Sequence, residues 1–183
     1  MAKKLPRGLR NNNPLNIRYV KSNNWLGKID GEGKQDKAFE EFDSLEHGLR
    51  AAYVLLYNYL EKSNLCSINA IISRWAPMNE NRTDVYIETV TKHVHVTPSD
   101  PIRFNDPYTM VELVQAMIKV ECGMPLPLSQ IFMAYFGVVL QKHVDYHWDP
   151  FEIYQYFADS DWEKFRGRVE DVLNDYSKWL KEE

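Results

Sequence analysis

Asp43-Ser-Leu-Glu-His-Gly-Leu-Arg-Ala-Ala-Tyr-Val-Leu-Leu-Tyr-Asn-Tyr-Leu60 is where the chain turns helical. Asp43 with Glu46 three positions on has the form of a capping box. Leu45, Leu49, Ala52, Leu56 and Leu60 then recur on one face, and Tyr53, Tyr57 and Tyr59 widen it. Upstream there is no such period. Asn11-Asn12-Asn13-Pro14 is turn chemistry, and Gly27, Gly31 and Gly33 punctuate the segment after it. Between them Asn16–Val20 alternates as a short strand does, with Lys37–Phe42 as its expected partner, so a small β-hairpin is predicted there.

Downstream the helical pattern continues. Ser67 opens a segment carrying Ile68, Ile71, Ile72 and Trp75, stopped by Pro77. Thr83 is the expected cap of the next, with Tyr86, Ile87, Val90 and Val94 on its face. Thr109 and Glu112 form a second capping box, ahead of Val111, Val114, Met117, Ile118 and Glu121, and Gly123 with Pro125 ends that helix. A further helix is predicted from about Ser129 to Lys142, a short one after Pro150, and a last one from Ser160. In the last, Trp162, Phe165, Val169, Val172, Tyr176 and Trp179 keep the spacing of a two-helix seam. The fold class expected is α+β and mostly helical.

Composition bounds the function. The chain has 183 residues, 44% hydrophobic and 26% charged, which excludes a disordered or low-complexity polymer. The net charge of −4 gives no general reason to hold nucleic acid. Residues 1–34 nevertheless carry eight Lys and Arg against Asp30 and Glu32, a basic front on an acidic body. No apolar run reaches the roughly 20 residues of a membrane span, and no apolar stretch follows the basic start. Synthesis in a cytoplasm without a signal peptide is therefore expected. Cys66 and Cys122 suit buried thiols of a reducing compartment. His143 and His147 are four apart, but no H-E-x-x-H is present, and no glycine spacing fits a phosphate loop, so neither metal nor cofactor is expected. Cys122, at a helix C-terminus, is a poor nucleophile.

Four stretches carry the functional reading. They are Arg7-Gly-Leu-Arg-Asn-Asn-Asn-Pro-Leu-Asn-Ile-Arg18 with Trp25-Leu-Gly27, Phe39 to Ala51, Arg74-Trp-Ala-Pro-Met-Asn-Glu-Asn-Arg-Thr-Asp-Val-Tyr86, and Ile118-Lys-Val-Glu-Cys-Gly123. In this order they resemble a group of phage- and mobile-element-encoded proteins, over residues 7 to about 123. That group is similar to lysozyme-like peptidoglycan hydrolases of the glucosaminidase type, and its members are often labelled phage structural proteins. The resemblance implies a lysozyme-like domain at residues 1–124; residues 125–183, which it does not cover, read from their pattern as a helical extension. In the glucosaminidase type the helix bearing the acid comes first. Here no acidic residue precedes Asp30, so the resemblance implies a circularly permuted arrangement with Glu121 in the acid's place.

Glu121 also has a case of its own. Glycoside cleavage needs a carboxylic acid still protonated near neutral pH. Glu121 follows Ile118 by three and Met117 by four, on the apolar face at the last turn, where burial and the helix dipole both disfavour an anion. The alternative is that the face rolls outward and Glu121 is merely solvated. Glu40, Glu41 or Asp43 is the candidate second carboxylate, with Glu32 and Asp36 further off, and a single-acid mechanism giving an anhydro product by substrate assistance is equally compatible. Glu80 is the runner-up acid, although Pro77, Asn79, Asn81 and Thr83 around it also read as a turn and helix cap. Asn12, Asn13, Asn16, Arg18, Trp25, Trp75 and Tyr86 are the candidate substrate-binding residues, because amides pair with sugar hydroxyl and N-acetyl groups and aromatic rings stack on sugar faces. Each also has a structural reading, the Asn residues in turns and the Trp residues in the core.

The expected function is a phage- or mobile-element-associated glycosidase acting on peptidoglycan glycan strands, at the bacterial wall or within a phage particle. The alternative is a non-catalytic structural or assembly protein of a virion, with the last helix docking on a virion or secretion-machine protein.

Overall fold

The computed structural model describes residues 5–79 and 82–158. Seven α-helices are described: α1 (Arg7–Arg10), α2 (Leu45–Tyr57), α3 (Ile68–Trp75), α4 (Thr83–Val94), α5 (Pro107–Cys122), α6 (Leu128–Gln141) and α7 (Pro150–Phe157). The protein is mostly helical. The expected helix after Ser160 lies outside the described residues, as does Glu80.

α5 is the axis of the molecule. The carboxylate of Asp106 accepts from the backbone N–H groups of Tyr108 and Thr109, and Pro107 takes the first turn, so the helix starts two residues before the Thr109 expected as its cap. Gly123, at φ 69°, ends it in the left-handed conformation. Met110, Val111, Leu113, Val114, Ala116, Met117 and Ile118 are all buried, which covers most of the circumference and requires neighbours all round. α4 and α6 supply them along its length, and α1 lies at its C-terminal end. α2 packs on α6, α3 on α4, and α7 on α6. Tyr53, Phe104, Phe132 and Tyr135 interlock in tilted ring pairs between these layers. α6 shares this core with α2 and α5, so one core runs across residue 124.

The capping signals hold in kind and slip by a residue or two. Ser44, not Asp43, caps α2 by accepting from the His47 N–H, and Ser67 caps α3 through Ala70. Thr83 begins α4 without capping it; its hydroxyl instead donates to the Ala76 carbonyl at 2.6 Å, tying α4 to the end of α3.

The predicted β-hairpin is not formed. Among the described residues its two segments meet in one isolated antiparallel bridge, Arg18 with Phe39, flanked by the Tyr19 N–H to Ala38 carbonyl and Glu40 N–H to Ile17 carbonyl bonds, while Phe42 bridges Lys28 outside the expected strands. The pairing stops at those bonds because polar side chains take up backbone groups within and beside the two segments. Asn13 is fully buried, donates to the carbonyls of Ile17 and Glu40, and accepts from the Ile17 N–H, each at 2.9 Å. The Glu41 carboxylate accepts from the N–H groups of Gln35 and Asp36. Lys28 donates to the carbonyls of Val20 and Asn23, with the buried Glu40 at 3.6 Å. The loop is thus knotted by polar side chains (an irregular cap over one end of α2). Asn13→Ala would orphan the Ile17 N–H and the Glu40 carbonyl, while the Ile17 carbonyl keeps its bond from the Glu40 N–H, and is expected to lower stability by about 2 kcal/mol, measured as a shift in the urea midpoint.

Gly48 in α2 is where that cap meets the helices. A Cβ built there would lie 1.7 Å from the Asn12 carbonyl oxygen. Only glycine lets α2 pass so close beneath the Asn-rich turn.

Candidate active site at the end of α5

Glu121 is on the last turn of α5, half-buried. Its carboxylate is held on both sides. The Asn16 side-chain amide donates to Oε2 at 2.9 Å, and the Tyr86 hydroxyl donates to Oε1 at 3.2 Å. Asn16 reaches this position because the turn places it in the left-handed region at φ 48°, which Asn tolerates. Tyr86 comes from α4, packed alongside α5. Gly8 completes the enclosure: a Cβ there would stand 2.8 Å from Cys122 Sγ and 3.1 Å from Asn16 Oδ1, so glycine lets α1 close over the helix end.

Burial pushes the Glu121 carboxyl above its ordinary range. The hydrogen bonds from Asn16 and Tyr86, and the positive charges of Arg7 and Arg18, pull it partly back. Arg7 and Arg18 flank the ring of Phe39, with guanidinium carbons 3.9 and 5.4 Å from its centre. The Tyr86 hydroxyl is driven well above its usual value, first by burial and then by the neighbouring Glu121 charge, and so stays a donor. Cys122 donates to the Pro14 carbonyl at 3.2 Å, and burial raises its thiol to about 11, which leaves it un-ionised and poorly nucleophilic at neutral pH.

Asn16 faces two ways. It also lines a cleft of about 310 Å³ bounded by Ile17, Arg18, Val20, Asn23, Leu55, Tyr59, Arg74, Trp75 and Pro77. Tyr59 and Trp75 meet there edge to face, with ring centres 6.2 Å apart. Glu121 is not itself a lining residue; Asn16 connects its carboxylate to this aromatic-walled groove.

No family model matches the chain. It is 40% identical over 117 residues to Protein P5 of Pseudoalteromonas phage PM2, an alignment covering 64% of this chain and 71% of that protein. The chain belongs to the family of this phage protein. Membership in the P5 family brings the chain a bacteriophage association.

Of the residues singled out from sequence, the fold brings Glu121, Asn16 and Tyr86 into one hydrogen-bonded group and sets Arg18 and Trp75 along the adjoining cleft. The others go elsewhere. Asn13 is fully buried with its amide saturated by backbone, so it is closed to a ligand. Asn12 donates to the Phe42 carbonyl at 2.9 Å and serves the turn. Glu40 is fully buried beside Lys28, and Glu41 is spent on loop N–H groups, so neither carboxylate is open to a substrate. Trp25 packs half-buried against the core, away from the cleft lining. Sequence reasoning missed Arg7, Tyr59, Asn23 and Arg74. Arg7 and Arg74 sit inside the motif stretches themselves, and a cation next to a Trp was the available signal for Arg74. Tyr59 read only as part of an apolar face.

Proposed function

We propose that this P5-family protein is a phage-associated glycosidase of lysozyme-like type that cleaves peptidoglycan glycan strands, with Glu121 as general acid. The observation that carries the reading is the half-buried Glu121 carboxyl, raised by burial and oriented by Asn16 and Tyr86, beside a cleft walled by Tyr59 and Trp75. A carboxyl so poised holds its proton closer to neutral pH than a solvated one and is able to load it onto a glycosidic oxygen.

With Glu40 and Glu41 buried in the loop and Asp43 paired with His47 outside the cleft lining, a single-acid course fits best. Glu121 protonates the leaving oxygen while the substrate's own N-acetyl carbonyl oxygen attacks C1. The resulting Glu121 carboxylate then takes the proton of the sugar's 6-hydroxyl, whose oxygen displaces the N-acetyl oxygen at C1 and leaves a 1,6-anhydro end. Incubating purified peptidoglycan with the protein and identifying released muropeptides by mass tests this directly. Anhydro ends support the single-acid course, and reducing ends require water as the final nucleophile. No release, with the protein instead co-assembling into particles, favours the non-catalytic virion component.

Tyr86→Phe supplies a pH test. The Tyr86 hydrogen bond favours the ionised carboxylate, so its loss is expected to raise the Glu121 pKa further and move the alkaline limb of the rate profile to higher pH. An unmoved limb would separate that limb from Glu121.

A further inference from the structure

The cleft beside Glu121 is polarised in a way the cleavage reaction does not require. Among its described lining residues are two arginines and no carboxylate, in a chain whose net charge is −4. Arg74 is exposed at the end of α3, with its guanidinium 5.9 Å from the Tyr59 ring centre and next in sequence to Trp75. No ion pair to Arg74 is found among the described residues. A chitin-like glycan is neutral and would gain nothing from such a cation. A muramic-acid-containing glycan carries a carboxyl group on every second sugar, either free on the lactyl ether or extended into the carboxylates of a stem peptide.

We propose that Arg74 is a specificity residue that reads a carboxylate on the bound strand, while Tyr59 and Trp75 carry the sugar faces. This rests on the reading of the Glu121 site as one that takes peptidoglycan glycan. The guanidinium offers the planar, multiple N–H donors that a carboxylate accepts, and its station over the Tyr59 ring keeps it oriented without neutralising it. The bland role for Arg74 is a last-turn cation that favours the α3 dipole. That role would alter stability and leave ligand choice untouched.

Equilibrium binding to the full-length Glu121→Gln chain, read by tryptophan fluorescence, separates the two. The probes are a neutral chitin hexamer, peptide-free peptidoglycan strands, and peptide-bearing strands. The anionic strands are expected to bind more tightly than the chitin hexamer, with a preference that shrinks as salt is raised. Adding Arg74→Gln is expected to weaken anionic strands about five- to tenfold and leave the chitin hexamer unchanged, whereas Arg74→Lys keeps most of the preference. An effect on both anionic strands assigns the lactyl carboxylate; an effect on peptide-bearing strands alone assigns the stem peptide. Equal loss on neutral and anionic probes, or none on either, overturns the assignment of Arg74 while leaving the cleavage reading intact. Charge-selective binding by a protein that releases no muropeptides has the opposite outcome: Arg74 stands and the hydrolase reading falls.

Discussion

Glu121→Gln is expected to cut muropeptide release by roughly 10²–10⁴-fold, the usual worth of a positioned general acid. The same change is expected to leave the fold intact and to alter its pH response in a definite direction. A carboxyl whose pKa rises on folding holds its proton more tightly in the native state. It therefore contributes stability below its unfolded pKa, near 4.5, and that contribution is lost as pH climbs through the raised native value. Gln does not ionise, so the variant should gain in melting temperature relative to the wild type as pH rises from about 4.5 through the raised native value. Loss of activity with a relative gain in stability at the alkaline end is the mark of a residue kept for chemistry at the fold's expense. Activity surviving in the variant would remove Glu121 from the mechanism.

Gly48→Ala is expected to be the most damaging single methyl group that can be added to α2. Helix propensity alone favours alanine by about 1 kcal/mol. Against this, the new Cβ would lie 1.7 Å from the Asn12 carbonyl oxygen and 2.8 Å from its carbonyl carbon, and backbone cannot swing aside as a side chain can. Separation of α2 from the Asn-rich turn should cost about 3 kcal/mol or more, roughly 6–12 °C in melting temperature for a chain of this size. Asn16 hangs from the same turn, so glycan cleavage should fall as well. A variant as stable as the wild type would show that the turn is not pressed on α2.

The helices were legible because each carries its own evidence. The spacing of Leu49, Ala52 and Leu56, the Ser67 cap, and Gly123 after α5 are local signals, and local physics decides them. The N-terminal forty residues resist a hairpin reading for an equally physical reason. Alternation in Asn16–Val20 reports which side chains face inward, but it does not report that Asn13, Lys28 and Glu41 bond backbone groups within and beside the two segments and so stop the pairing short. Glu121 was legible from its helix face. Its partners were partly so: Asn16 came from the motif, whereas the Tyr86 contact depends on how α4 packs on α5, which no spacing encodes. Asn13, Glu40 and Glu41 looked like site residues because polar groups in a motif look alike whether they serve a ligand or the backbone. Only burial tells them apart.

The bond between Asn16 and Glu121 spans 105 positions, and the one between Cys122 and Pro14 spans 108. Two segments far apart in the chain thus meet to make one clasp, and each is inert alone. A polypeptide halted anywhere between the Asn-rich turn and the close of α5 carries the turn without the acid. If Glu121 is the acid that cuts the wall, cleaving capacity arrives all at once, late in synthesis, and no shorter fragment released from the ribosome is able to attack the host's own envelope ahead of time.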